Sequence, residues 1–114
     1  MLGGLTGQQW DLMLMEVWIG LAHVKPNPGN DLLDGARGAF VPVLALASCV
    51  EEFTSKVMGL LRKYNFRIPE IEDIEPLKIR LARGPVDSAI VKLASSISED
   101  NNVAFSSFET YEDV

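Results

Sequence analysis

The chain has 114 residues, a single cysteine, a single histidine and a formal net charge of −6. This length predicts one domain over residues 1–114, and contents of 47% apolar and 23% charged residues are typical of a globular protein rather than a disordered one. The acidic balance argues against a nucleic-acid partner and against an anionic membrane surface, because both bind through clustered Lys and Arg.

The cysteine and histidine content limits redox and metal chemistry. Cys49 has no second cysteine with which to form an intrachain disulfide, and one Cys with one His cannot complete a structural zinc site. No cofactor-binding motif is present, so we expect neither a metal nor a cofactor. No apolar stretch is long enough to span a bilayer, and the first basic residue is Lys25, which argues against a secretory signal. We expect a soluble cytoplasmic protein.

The beginning of the chain is the hardest part to assign. Residues 1–9 are polar and glycine-rich, which predicts a frayed segment or an extension that the fold does not need. Between Trp10 and Val24 the apolar residues have helical spacing, but β-branched and aromatic residues and the interior Gly20 favour a strand over about residues 14–24.

Residues 25–38 are predicted to form a loop, since they are rich in Pro, Gly and Asn. A loop of this length is long for a compact domain, and such loops are either flexible connections or functional elements. On the functional interpretation, four polar residues of the loop line a pocket: Asn30, Asp31, Asp34 and Arg37.

Residues 39–74 predict a strand, a helix and a returning strand. The run from Ala39 to Ala47 is almost entirely apolar, and the capping-box pair Ser48 and Glu51 then opens a helix to about residue 63. One apolar stripe follows that helix: Val50, Phe53, Val57, Leu60, Leu61 and Tyr64. Asn65 suits the left-handed position after the helix. Pro69 indicates a bulge and an edge position for the returning strand.

The rest of the chain predicts two helices, over residues 76–83 and 87–98, and a last strand over residues 103–111. Phe105 and Phe108 should face opposite sides of that strand. The order β-β-α-β-α-α-β predicts an α+β two-layer sandwich, with a mixed sheet of about four strands and the helices on one face. The first two strands are apolar on both sides, so we expect a homodimer that covers the second face.

Cys49 and His23 are candidates for a catalytic pair. A thiol at the first turn of a helix is activated by the helix dipole, and His23 would serve as its base if the two strand ends met. Antiparallel neighbours joined by the 25–38 loop would instead place His23 near the start of the second strand. The alternative is that Cys49 is a small buried hydrophobe and His23 an ordinary strand residue.

An acidic cluster follows the main helix, with four carboxylates in six residues: Glu70, Glu72, Asp73 and Glu75. Glu70 and Glu72 alternate onto one strand face. Three interpretations stay open, namely a solvated edge that prevents edge-to-edge pairing, a contact for a basic protein partner, and a metal or acid–base site. The acidic end of the chain, residues 109–114, predicts either a recognition tail or, more simply, terminal fraying.

The leading functional prediction is a small, acidic, non-catalytic interaction module that binds a basic protein, in the manner of an inhibitor or immunity protein. Residues 70–114 carry ten acidic and four basic residues, without a catalytic motif. The alternative is a small-molecule-binding protein or small enzyme, with a pocket formed by the 25–38 loop, His23 and Cys49.

Overall fold

The computed structural model describes residues 15–112. Its strands and helices are, in chain order, β1 (Glu16–Pro26), β2 (Gly38–Ala47), α1 (Val50–Lys63), β3 (Phe66–Pro76), α2 (Leu77–Arg83), α3 (Ser88–Ser95), β4 (Val103–Phe105) and β5 (Glu109–Tyr111). The α+β class is confirmed, and the order of elements matches the prediction until the last strand, which is divided in two. The predictions for residues 1–14, and for residues 113–114 of the acidic end of the chain, lie outside the described residues.

The strands form one open sheet in the order β3–β1–β2, with β4 and β5 following one another along the outer edge of β2. All of these pairings are antiparallel. The mixed pairing predicted from sequence is not observed, because β1 lies between β2 and β3, the two strands that the α1 crossover joins. β3 has the predicted edge position, and a register shift opposite His23 to Lys25 marks the bulge near Pro69.

α1 packs on one side of the sheet, which we call the first face. Phe53 and Leu61 of its apolar stripe are fully buried there, against alternate side chains of β1 and β2 such as Ala22 and Val41. Small strand residues allow this close approach, since a Cβ at Gly20 would lie 3.1 Å from the Phe53 ring. The larger of two core clusters therefore lies between α1 and the sheet.

Both ends of α1 lie near their predicted positions, but the N-cap is one residue later than the sequence predicts. The helix begins at Val50, with Cys49 as its N-cap and without a side-chain cap hydrogen bond. The Ser48 amide donates to the Glu52 carboxylate at 2.8 Å, so the acidic residue that closes the first turn lies one position later than predicted. Asn65 has φ 65°, which confirms the predicted left-handed turn into β3.

α2 and α3 pack on the opposite side, the second face, which corrects the prediction that all helices share one face. Leu77 of α2 and Ile90 of α3 form the second buried cluster with Ile19 and Leu44, whose side chains alternate with those that face α1. β3 continues directly into α2, so the chain has no connection long enough to cross the sheet edge. One end of the second face is therefore covered by this chain itself.

The segment predicted as one strand over residues 103–111 forms β4 and β5, because it leaves the sheet between them. The Ser106 amide there donates to the carbonyl of Pro42 at 2.9 Å, at the part of β2 that lies between its pairings with β4 and β5. The rings of Phe105 and Phe108 lie 5.3 Å apart and both pack on the first-face core. The prediction that they face opposite sides is wrong, since it assumed an unbroken strand.

Candidate functional site

The end of the second face that is distant from α2 and α3 carries the candidate site. The strand registers place four side chains in one row across β3, β1, β2 and β5, namely Glu70, His23, Phe40 and Glu109. Directly paired residues of an antiparallel sheet point to the same face. This cross-strand row therefore has two rings at its centre and a carboxylate at each end.

Tyr111 adds a third ring, and we call His23, Phe40 and Tyr111 the aromatic triad. The phenol oxygen of Tyr111 lies 2.5 Å from Nε2 of His23, within hydrogen-bond distance. The His23 and Phe40 rings stack at a centroid distance of 4.8 Å, and those of Phe40 and Tyr111 are 5.8 Å apart. All three are half-buried. They hold one another in place and leave a partly exposed apolar surface beside the carboxylates.

The acidic residues predicted as one cluster are divided between two places. Glu70 and Glu72 are exposed and pair with β1 on the second face, next to the aromatic triad. Asp73 is exposed at a register shift and has a left-handed φ of 56°. Glu75 lies further along β3 and belongs to an ion-pair cluster with α2. Only the first two therefore contribute to the candidate site.

Glu75 has a structural role that the sequence prediction missed. Its carboxylate accepts hydrogen bonds from Nε of Arg80 at 2.5 Å and from the guanidinium of Arg83 at 2.6 Å. The hydrogen bond from Arg80 is the main cause that lowers the pKa of the Glu75 carboxyl below its ordinary value. Arg80 also donates to the Asp73 carbonyl oxygen at 2.9 Å. These bonds join α2 to the end of β3.

The structure does not bring Cys49 and His23 together. His23 lies opposite Phe40 near the start of β2, whereas Cys49 follows Ala47 at its end. The intervening extended chain spans about 24 Å. The thiol is also exposed rather than buried, which contradicts the small-hydrophobe alternative. His23 is therefore too distant to act as a base for Cys49.

The loop between β1 and β2 packs on the first-face core instead of forming a pocket with Cys49. The side-chain amide of Asn30 donates to the carbonyls of Tyr64 and Asn65, at 2.9 and 2.8 Å, just beyond the end of α1. Leu33 is buried in the first-face core. The other three predicted pocket residues are exposed on the loop surface: Asp31, Asp34 and Arg37.

Two adjacent cavities lie where α2 meets the sheet, and Asp73 and Arg80 line both. One is polar, has a volume of about 410 Å³ and includes the Glu75 ion pairs. The other, of about 300 Å³, lies between the second face and the turn before α3. Within residues 15–112, no group of three or more His, Cys, Asp or Glu side chains is placed to bind a metal ion. In the same part of the chain, every helix is too short or too polar to cross a membrane.

Two residues of these sites were missed in the sequence, Tyr111 and Arg80. Residues 109–111 were predicted both as the end of the last strand and as the start of a terminal segment that frays, and they pair with β2. Their signal was the alternation of Glu109 and Tyr111 around Thr110, the period of a strand. Arg80 follows Glu75 by five residues across a strand–helix junction, a spacing that neither a helix nor a strand pattern would pair.

Comparisons of the chain with protein-family models, with curated proteins and with solved structures give no match. A function for this chain therefore rests on the geometry and charge of its own residues.

Proposed function

We propose that this chain is a non-catalytic interaction module that binds a basic protein in the cytoplasm, in the manner of an inhibitor or an immunity protein. The proposed binding surface is the cross-strand row together with the aromatic triad. The strand register supports this proposal, because it places the exposed carboxylates of Glu70, Glu72 and Glu109 around three half-buried rings.

Rings and carboxylates have different roles in such an interface. The rings supply apolar area, and their faces attract cationic side chains by about 0.5–2 kcal/mol. The carboxylates attract a basic partner before contact and raise the association rate, most strongly at low salt. Within residues 15–112, no Lys or Arg forms an ion pair with Glu70, Glu72 or Glu109, so their charges are available to a partner.

The homodimer predicted from the sequence would use the same part of the second face. The dimer was predicted in order to cover an apolar second face, and the uncovered part of that face is smaller than expected because α2 and α3 cover one end of it. A row that ends in Glu70 and Glu109 suits a cationic partner better than a second copy, since aligned copies would bring like charges together. Sedimentation at micromolar concentration measures the oligomeric state, and a dimer that blocks basic partners would favour the competing proposal.

An NMR titration with an arginine-rich peptide as the probe tests the proposal. We expect amide shift changes along β1, β2, β3 and β5 around the cross-strand row, with affinity that falls as salt rises. The double substitution Glu70→Gln and Glu72→Gln removes two carboxylates without shortening either side chain. It should weaken binding by about tenfold, since each exposed ion pair contributes up to about 1 kcal/mol.

The matched control is Glu99→Gln with Asp100→Asn, which changes the net charge equally in an exposed turn after α3. This variant should keep the affinity of the unmodified chain. Equal weakening by the two variants would mean that net charge alone attracts the peptide, and shift changes on another surface would contradict the proposed location.

A further inference from the structure

The smaller of the two cavities has the form of a small-molecule site, at a different place from the cross-strand row. It is a cleft of about 300 Å³ between the second face and the turn that leads into α3. This volume lies at the lower end of the range for small-molecule pockets. Its apolar part is lined mainly by side chains from the sheet and from the segment around the start of α3. The sheet residues are Ile19, Leu21 and Pro42, and the others are Val86 and Ile90.

The polar part of the cleft is formed by Asp73, Arg80 and Asp87. Arg80 is already engaged, because its Nε donates to Glu75 at 2.5 Å and its terminal nitrogen to the Asp73 carbonyl at 2.9 Å. Asp87 accepts a hydrogen bond from the Ala89 amide at 2.8 Å. Its carboxylate has no cationic partner among residues 15–112, and the same is true of Asp73.

The charges around the cleft therefore favour a cation over an anion. The residues that line it include two acidic side chains, Asp73 and Asp87, and one basic side chain, Arg80, whose partner Glu75 also pairs with Arg83, so the lining has a net negative charge. An organic anion would have to displace the Arg80–Glu75 pair and approach Asp73 and Asp87. An amine would find carboxylates at the polar part and aliphatic side chains for its body.

We propose that this cleft binds a small organic monocation, an amine or guanidinium attached to an apolar body of about one ring. The body lies on Ile19, Leu21 and Pro42, and the cationic head lies towards Asp73 and Asp87. The inference does not depend on the proposed function, because the cross-strand row and the aromatic triad contribute no residue to the cleft.

The test uses 2-phenylethylamine as the probe, with 2-phenylethanol and 3-phenylpropanoate as its neutral and anionic counterparts, in NMR titrations of the full chain. For a ligand of this size in a small open cleft, we expect a dissociation constant of about 1 mM for the amine. The alcohol should bind about tenfold more weakly, and the anion should not bind measurably. The shift changes should include the amides of Leu21, Val86 and Ile90.

The substitutions Asp73→Asn and Asp87→Asn remove the charges while preserving the local structure. Asn also adopts positive φ, as position 73 requires, and it caps a helix as well as Asp does. The double variant should bind the amine about tenfold more weakly, whereas Glu99→Gln with Asp100→Asn should leave binding unchanged. Equal binding of amine and alcohol, preferred binding of the anion, an unaffected Asp double variant, or no amine binding at 10 mM would each overturn the proposal.

Discussion

Tyr111 lies directly over Gly38, its partner in the β2–β5 register. A Cβ at position 38 would overlap the phenol oxygen of Tyr111 and would lie 2.9 Å from the carbonyl oxygen of Val24. The same phenol oxygen contacts the His23 ring. Glycine at position 38 is therefore what allows β5 to bring its tyrosine into the aromatic triad.

Gly38→Ala should displace Tyr111 and lower the free energy of unfolding by about 1–3 kcal/mol, the usual cost of inserting a methyl group where no space exists. Urea denaturation measures the stability, and near-UV circular dichroism reports the tyrosine. The control is Gly59→Ala on the exposed side of α1, where a Cβ meets no atom within 4 Å. That change should instead stabilise the protein by about 0.5–1 kcal/mol. The same sign for both substitutions would contradict the close contact at Gly38.

Glu75 should make the fold sensitive to acid. Its pKa in the folded chain is lowered from the ordinary value of 4.5, chiefly by the hydrogen bond from Arg80. The carboxylate therefore contributes stability that is fully present above the unfolded pKa and is lost as the pH falls through the lowered folded pKa. Glu75→Gln should lower the Tm at neutral pH, and the difference from the unmodified chain should shrink below about pH 4.5. A difference that stays constant down to pH 3 would exclude this role.

The central helix and its two strands could be predicted because their signals are local. The stripe that includes Phe53 and Leu61 has helical spacing, Asn65 marks the turn, and Pro69 marks a bulged edge strand. Each signal depends on residues within a few positions of one another. The face of the sheet on which α2 and α3 pack has no such local signal. Periodicity identifies Leu77 and Ile90 as apolar, but the face that they cover depends on β1 entering the sheet between β2 and β3.

The candidate site was predictable only in parts for the same reason. The alternation of Glu70 and Glu72 onto one face follows from strand geometry, and hairpin geometry places His23 near the start of β2. The alignment of Glu70 with His23 depends instead on two bulges in the pairing of β3 with β1. The position of Tyr111 depends on a break in the last strand. A local signal such as Pro69 predicts a bulge or a strand, but it does not tell which residue of a distant strand lies opposite.

Asn30, which is half-buried in the loop between β1 and β2, should be important for stability. Its side chain donates to the carbonyls of Tyr64 and Asn65 and accepts from the Leu32 amide at 3.0 Å. Asn30→Ala should therefore lower the free energy of unfolding by about 1–2 kcal/mol, measured by urea denaturation. Asp31→Ala, at the next exposed position of the loop, should change it by less than about 0.5 kcal/mol. Equal effects of the two substitutions would show that the loop is not held by Asn30.

Cys49 should react with a thiol reagent in the native protein at a rate that does not depend on His23. The thiol is exposed at the N-cap of α1, so an aromatic disulfide reagent should modify it without unfolding. His23, in β1, pairs with Phe40 near the opposite end of β2, far beyond the reach of proton transfer. His23→Gln should therefore leave the second-order rate constant, measured by absorbance at neutral pH, unchanged within about twofold. A larger effect would require a base within hydrogen-bond reach of the thiol.

Reaction of the urea-unfolded chain gives the reference rate for a fully accessible thiol. A substantially slower reaction of His23→Gln, with the circular dichroism of the folded chain retained, would show that the two side chains do cooperate.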